Sequence, residues 1–161
     1  MGNWQVPLPP GYLEIPSTFN MTQAICDRWL GEGKQDDTAL VYGRERVSFA
    51  ELYDRMRRCA RGLMDLGIGR GQTFAIRSRN QPDYVVAVLA GLRIGAVPVL
   101  SNSLLGPREL RHVIQNSDAR AVLTTEDRLE TVEEVRSDCP TLEHVVLRIL
   151  LILHLLDHRK Q

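Results

Sequence analysis

The stretch Leu92–Asn102, LRIGAVPVLSN, decides the fold, because it changes from a helical pattern to a strand pattern within a few residues. Gly95 ends the apolar helix that precedes it, since glycine accepts the left-handed conformation found after a helix C-terminus. Residues 96–100 (AVPVL) then predict a strand. Pro98 has no N–H to donate to a sheet ladder, so we expect it at a sheet edge, a strand end or a local irregularity.

On both sides of this stretch, strands alternate with helices through short loops. Before it, residues 73–77 (TFAIR) predict a strand, and Pro82 begins a helix that is apolar on most faces and so is buried on more than one side. After it come a helix that begins at Pro107, a strand at 119–124, a helix at 126–137 and a strand at 143–147. This alternation predicts an α/β fold with a mostly parallel sheet and helices on both faces.

A β-hairpin and a long amphipathic helix precede this unit. Residues 38–42 and 46–49 flank a glycine-containing turn and predict the two strands of the hairpin. Ser48 and Glu51 form a capping box, which predicts that a helix begins there. The helix carries an apolar stripe at helical spacing: Leu52, Met56, Cys59, Leu63 and Leu66. Such a stripe predicts a helix that buries one face against the core.

The residue patterns divide the chain into an N-terminal arm, an α/β subdomain and a tail. Residues 1–19 contain several prolines and predict an extended arm lying on a larger body. Residues 20–147 are the α/β subdomain. Its first element is a short helix that Asn20 caps, and we expect Ile25 and Trp29 on one side of that helix.

The tail, residues 148–161, differs from the rest of the chain. The apolar run from 145 to 156 is too short for a membrane span, which needs roughly twenty residues, and it contains Arg148. The tail is either a buried helix or a segment foreign to the fold. His154 and His158 have the i, i+4 spacing of a helical metal site, but no third ligand is near in sequence, so we expect no metal site.

Composition excludes several classes of function. Twenty Lys and Arg balance twenty Asp and Glu, so whole-chain charge gives no attraction to nucleic acid, and the cluster Arg55, Arg57, Arg58 and Arg61 is interpreted as a solvated helix face. The start of the chain lacks the basic and apolar regions of a signal peptide. The cysteines form no C-x-x-C motif and predict reduced, buried thiols: Cys26, Cys59 and Cys139. We therefore expect a cytoplasmic protein without a membrane span.

Two motifs invite a functional interpretation. Residues 67–71 (GIGRG) resemble a phosphate loop, but they follow a helix and precede a strand, whereas phosphate binding uses a helix N-terminus. Residues 101–107 (SNSLLGP) follow a strand end, where ligands gather in open α/β sheets. The simpler account is a turn that leads into a helix, and nothing in the sequence is expected to converge on this segment. His112 and His144 stand alone, so the residues by themselves show no catalytic constellation.

Longer patterns carry a resemblance to one family. VSFAELYDRMRRCARGLMDLGIGRGQTFAI, followed by RNQPDYVVAVLAGLRIGAVPVLSNSLLGPRELRHVIQNSDARAVLT, resembles the N-terminal part of the AMP-forming acyl-CoA synthetases. These belong to the adenylate-forming superfamily, with luciferases and nonribosomal peptide adenylation domains. The resemblance runs from about Thr38 to Leu147. The VPVLSNSLLGP segment is most similar to ligases of aryl and medium-chain acids.

The resemblance implies a two-step ligation. A carboxylate attacks the α-phosphate of Mg-ATP to give an acyl-adenylate and pyrophosphate, and a thiol, usually coenzyme A, then takes the acyl group. Family members use a phosphate loop ending in Pro-Lys-Gly, an acid for Mg²⁺, an Asp for the ribose and a lysine of a mobile domain. None of these motifs occurs in this chain, so no catalytic, cofactor-binding or metal-binding residue is assigned.

The sequence therefore predicts the scaffold part of an acyl-CoA synthetase that is inactive alone, for which ATP, Mg²⁺ and coenzyme A belong to the family reaction. We expect its uncovered apolar helix faces to favour self-association or contact with missing ligase domains. A non-catalytic module that docks on a full-length or split ligase is the alternative. A generic nucleotide-binding α/β domain is a third reading, against which the placement of the glycines argues.

Overall fold

The computed structural model describes Pro16 and residues 18–147. The predicted arm (1–19) lies largely outside this part, and the tail (148–161), with the histidines of HLLDH, lies wholly outside it. The strands of the described part are β1 (Thr38–Tyr42), β2 (Glu45–Ser48), β3 (Thr73–Arg77), β4 (Val97–Leu100), β5 (Ala121–Thr124) and β6 (His144–Leu147). The α-helices are α1 (Arg28–Gly31), α2 (Phe49–Asp65), α3 (Pro82–Arg93), α4 (Pro107–Ser117) and α5 (Leu129–Arg136).

The main sheet is parallel throughout, with the strand order β4-β3-β5-β6. Strand β4 lies at its edge, which is one of the three positions expected for a strand that contains Pro98. The N–H of Val97 donates to the carbonyl of Gln72 at 2.8 Å, and that of Ser101 donates to Ile76 at 3.1 Å. Because alternate residues of β4 bond to β3, the nitrogen of Pro98 points away from the neighbouring strand. The proline therefore removes no hydrogen bond from the sheet.

Helices cover both faces of this sheet, which confirms the predicted architecture. Phe74 and Ile76 of β3 point to one face, where they pack with the buried residues of α2 and α3. Ala75 and Val122 point to the other face, where they pack with α4 and α5. The alternation of neighbouring residues between two cores follows from the period of two along a strand. Both faces are apolar because the sheet is parallel and covered twice.

Several boundaries differ from those predicted from sequence, by one residue in β2, β4 and β6 and by more in two other elements. Strand β5 begins at Ala121 rather than at residue 119, because the N–H of Ala119 donates to the carbonyl of Ile114 and completes the end of α4. Asp118 takes a left-handed conformation there, with φ +51°. The predicted helix over 126–137 is divided into a 3₁₀ turn and α5.

The hairpin pairs β1 with β2 in antiparallel fashion through a tight turn at Gly43, whose φ is +57°. Ser48 then caps α2, since its Oγ accepts the N–H of Glu51 at 3.2 Å. The Glu51 carboxylate turns outward and pairs with Arg55. The arginine cluster of α2 is solvated in part, since Arg61 and Arg57 are exposed but the Arg55 side chain is only 19% exposed. Arg55, Arg58 and Arg61 pair with acidic neighbours, and Arg57 lies over the Tyr53 ring.

The first helical segment docks on α3 through polar contacts. Asn20 Oδ1 accepts the N–H of Thr22 at 3.0 Å, which confirms the predicted cap. The Thr22 hydroxyl donates to the carbonyl of Leu89 at 3.0 Å. The prediction that Ile25 shares the packed side with Trp29 is wrong, because Ile25 is exposed. A single π-helical turn over Gln23–Asp27 shifts the register, so that Thr22 and Cys26 are buried instead.

Candidate ligand-binding crevice

The strand order places the topological switch point of the sheet between β3 and β5, because β3 connects to β4 on one side and β5 connects to β6 on the other. The gap between β3 and β4 lies directly beside it. The chain leaves β3 towards α3 on one face, and it leaves the adjacent β4 towards α4 on the other face. The two exits therefore separate at the carboxyl ends of neighbouring strands. In open α/β sheets ligands bind outside the carboxyl ends of the strands, and the gap between β3 and β4 lies at that edge, next to the switch point.

A cavity of about 390 Å³ lies at this gap. It is lined by Ser78, Arg79, Asn80, Tyr84, Leu100, Ser101, Asn102 and Ser103. Ser78 and Ser101 are buried, although both are polar. The lining arises from a simple repetition in the sequence, because SRN follows β3 and SNS follows β4. We call this cavity the crevice.

The turn-and-helix interpretation of residues 101–107 is also correct. Gly106 is extended before α4, and Pro107 occupies the first turn of that helix. The structure adds the polar wall that Ser101, Asn102 and Ser103 form opposite the end of β3. One segment therefore turns the chain into a helix and lines the crevice.

Arg77 holds the two walls of the crevice together. Its side chain is 2% exposed, and its guanidinium donates to the carbonyls of Asn102 (3.3 Å from Nη1) and Leu105 (2.8 Å from Nη2). The carbonyl of Arg77 accepts the Thr124 hydroxyl at 3.1 Å. Among the residues that the structure describes, no carboxylate forms an ion pair with this guanidinium, and its buried Nε has no hydrogen-bond partner.

The charges of Arg77 and Arg128 interact. Burial lowers the pKa of the Arg77 guanidinium, and the positive charge of Arg128 lowers it further. A hydrogen bond from the Thr125 hydroxyl holds the pKa of the Asp127 carboxyl below the usual range, with help from Arg128 and Arg79. Arg79 reaches the Asp127 carboxylate at 3.4 Å in an exposed pair, which stabilises little in solvent.

A second cavity of about 340 Å³ adjoins the crevice and shares Asn80 and Tyr84 with it. Its other lining residues come from β1 and the start of α3, and most are apolar: Leu40, Val41, Tyr42, Gln81, Pro82 and Val85. The end of β3 therefore borders a polar cavity on one side and an apolar cavity on the other.

The glycines of GIGRG lie at the opposite end of the sheet. Gly67, with φ +75°, follows the C-terminus of α2, and the N–H of Gly71 donates to the carbonyl of Gly95 at 2.8 Å. The Gly67 carbonyl accepts Arg120 Nη1 at 3.3 Å. A helix C-terminus with occupied N–H groups does not fit a phosphate group. The structural interpretation of this motif is confirmed, and no nucleotide step is assigned to it.

The isolated histidines lie apart from the crevice. His112 is exposed on α4, and His144 lies in β6 beside Glu143 at 3.8 Å. Within residues 18–147, no group of three or more His, Cys, Asp or Glu side chains is arranged to hold a metal ion. The absence of catalytic and metal residues from the chain stays a prediction. No helix of the described part is long and apolar enough to cross a membrane.

The cysteines are free and buried, as predicted. Burial raises the pKa of the Cys59 thiol to about 12, and it also raises the pKa of Cys26 and Cys139. We expect the folded protein at about pH 8 to react with Ellman's reagent at least ~100-fold more slowly than a small free thiol, because the thiolate is the nucleophile. In urea all three should react. Fast reaction of one thiol in the folded protein would contradict the buried assignment.

The comparison with protein families decides the identity. Residues 27–159 match the family model described as AMP-binding enzyme. The chain belongs to this family. It is 30% identical over 130 residues to a 3-hydroxybenzoate–CoA ligase of Aromatoleum sp. (strain CIB). The aligned region covers 81% of the chain and 25% of that relative. It is also 34% identical over 125 residues to surfactin synthase subunit 1 of Bacillus subtilis (strain 168), covering 78% of the chain and 3% of that protein.

Solved structures agree on the fold of this AMP-binding family member. An anthranilate CoA ligase in complex with anthranoyl-AMP superimposes with a TM-score of 0.81 at 22% identity, over 87% of the chain and 28% of the ligase. The chain thus corresponds to the N-terminal part of adenylate-forming ligases and spans about a quarter of the length of the CoA ligases it matches. The resemblance inferred from sequence is confirmed.

Sequence reasoning missed most residues of the crevice. It selected 101–107 and expected no other polar residues to converge there, so it missed Ser78, Arg79, Asn80 and Tyr84. A signal was present, since small polar residues directly follow two apolar strands of one parallel sheet. To predict that these residues meet, one must know that β3 and β4 are neighbouring strands. The order of elements along the chain does not establish this.

Proposed function

We propose that this chain is the N-terminal part of an AMP-forming acyl-CoA ligase, which activates a carboxylic acid with ATP and transfers the acyl group to coenzyme A. The match to the AMP-binding family over residues 27–159 carries the proposal. Relatives named as CoA ligases support it, including those of hydroxybenzoate. Aromatic carboxylic acids are therefore the first substrates to test. The three free cysteines agree with a reducing compartment, and we place the protein in the cytoplasm.

In this proposal the chain has a structural part in the ligase. Joining a carboxylate to a triphosphate requires groups that neutralise both anions, and the sequence holds none of the family motifs that do so. We infer that the chain alone does not catalyse the reaction. It supplies the parallel sheet and the crevice at its carboxyl end, against which the remaining parts of a ligase assemble.

A segment exchange tests this proposal. Residues 27–147 would replace the matching segment of the 3-hydroxybenzoate–CoA ligase, and exchange of radiolabelled pyrophosphate into ATP would be followed with 3-hydroxybenzoate. We expect exchange within about 100-fold of the parent ligase, because the catalytic motifs come from the parent. The 161-residue chain alone should show none.

Two outcomes would contradict the proposal. A folded hybrid without exchange would argue against the ligase assignment, and exchange by the chain alone would argue against a purely structural part. The same hybrid carrying Gly91→Val, which disrupts the packing of α3 on the sheet, is the negative control. Each protein would first be checked for cooperative thermal unfolding.

The alternative, a non-catalytic module that docks on a ligase, is favoured by one feature. Val97 and Leu100 of the edge strand β4 and the nearby Leu104 are exposed large apolar residues. Within residues 18–147, β4 has a hydrogen-bonding partner strand on one side. If the chain binds the separately expressed remainder of a ligase but no pyrophosphate exchange into ATP is observed, this alternative replaces the first proposal.

A further inference from the structure

The environment of Arg77 is energetically unusual. Moving a guanidinium out of water costs several kcal/mol unless a carboxylate and a full set of hydrogen bonds compensate for the loss of hydration. Here the described residues offer no ion pair to Arg77, and a second arginine lies close enough to lower its pKa further. Its Nε is unpartnered, as are those of Arg58, Arg111 and Arg128. Methionine or leucine would fill the same volume without that cost. The hydrogen bonds that the guanidinium does make indicate which part of the structure this charged side chain stabilises.

Those contacts converge on one turn, residues 102–105, which we call the crevice turn. Asn102 is its first residue and closes it: its Oδ1 accepts the N–H of Leu104 at 2.9 Å, and its carbonyl accepts the N–H of Leu105 at 3.2 Å. The same carbonyl accepts Arg77 Nη1, and the carbonyl of Leu105 accepts Arg77 Nη2. Arg77 thus bonds both ends of the turn from a position inside the core.

The crevice turn carries two exposed features. Its first residues form the polar wall of the crevice, and the Leu104 side chain stands 74% exposed at its tip. A surface turn of this size would ordinarily be mobile, and ordering it on binding would reduce affinity. The hydrogen bonds from Arg77 to both ends of the turn, which we call the clamp, order the turn before a ligand binds.

We propose that Arg77 is a positioning residue, which holds the crevice turn in its binding geometry so that the polar wall and Leu104 are preorganised for the ligand of the crevice. This proposal rests on the proposed ligase function for the identity of that ligand, but not for the clamp itself. Arg77 acts through the backbone of the turn and does not line the cavity.

The clamp is tested on the full chain by amide hydrogen exchange. In Arg77→Met, the N–H groups of Leu104 and Leu105 should exchange about tenfold faster, whereas those of Ile76 and Leu123 in the sheet should be unchanged. Arg136→Met, which removes an arginine of an exposed pair on α5, is the matched control and should change neither set. Unchanged exchange in the crevice turn would overturn the proposal.

Arg77→Lys keeps the charge but offers one nitrogen, so it should restore part of the protection. If both variants lose cooperative unfolding, Arg77 is a core residue rather than a positioning residue, and the proposal is wrong. If both fold and the turn exchanges faster, the clamp is established whatever ligand the crevice binds.

The effect on binding is tested in the active hybrid described above. Arg77→Met should raise the KM of the acid or of coenzyme A about tenfold while kcat stays within about twofold, with partial rescue by Arg77→Lys. An equal loss of kcat for all variants, or no change in either KM, would overturn the positioning role. If the unsubstituted hybrid is inactive, the proposed function fails. Amide hydrogen exchange on the full chain still decides whether Arg77 holds the crevice turn.

Discussion

Gly91→Ala is expected to lower the free energy of unfolding by about 3 kcal/mol, because it inserts a methyl group into a filled core. A Cβ at Gly91 would lie 2.5 Å from Cε1 and 2.6 Å from Cζ of Phe74. The Phe74 ring is fully buried between the sheet and α3, so it cannot move aside without displacing other residues. In an open helix interior, the same change stabilises by about 1 kcal/mol. Urea unfolding of the purified chain measures the difference.

Gly31→Ala provides the control for this prediction. Gly31 is the last residue of α1, and a Cβ there meets nothing within 4 Å, so we expect little change or a small gain in stability. Phe74→Leu should partly restore Gly91→Ala, because the smaller side chain leaves room for the methyl group. An unaltered unfolding midpoint for Gly91→Ala would show that α3 does not approach the sheet as closely as described.

Leu63→Ala is expected to cost about 3 kcal/mol, within the range for a leucine removed from a well-packed core. Leu63 is 0% exposed and belongs to the same core as Phe74. It lies on the stripe that joins α2 to that core. Truncation leaves a cavity that the surrounding rigid elements cannot fill. Thermal and urea unfolding should both show the loss.

Met64→Ala is the matched control, one position further along α2. The Met64 side chain is 48% exposed, so we expect a change within about 0.5 kcal/mol. Similar losses for Leu63→Ala and Met64→Ala would mean that α2 is rotated relative to the predicted stripe. The pair therefore tests the helical periodicity read from the sequence as well as the packing.

Local chemistry allowed much of the fold to be predicted. Strand β3 has the bounds expected for TFAIR, Ser48 caps α2, and Pro82 and Pro107 stand at helix starts. Each of these depends on neighbours within a few residues, through capping bonds, the fixed φ of proline or apolar periodicity. The register of the first helix was predicted wrongly, because a π-helical turn is decided by docking on α3 rather than by local pattern.

The sequence by itself determined the family, the alternation of strands and helices, and the restriction of Pro98 to a sheet edge, a strand end or a local irregularity, since these follow from short-range pattern and backbone chemistry. Only the tertiary structure decided that SRN and SNS face each other across one crevice and that Arg77 reaches both ends of the crevice turn. The reason is physical. Strand neighbours in a parallel sheet are set by crossover connections and by packing between distant segments, and neither the order β4-β3-β5-β6 nor the path of a buried side chain is encoded in adjacent residues.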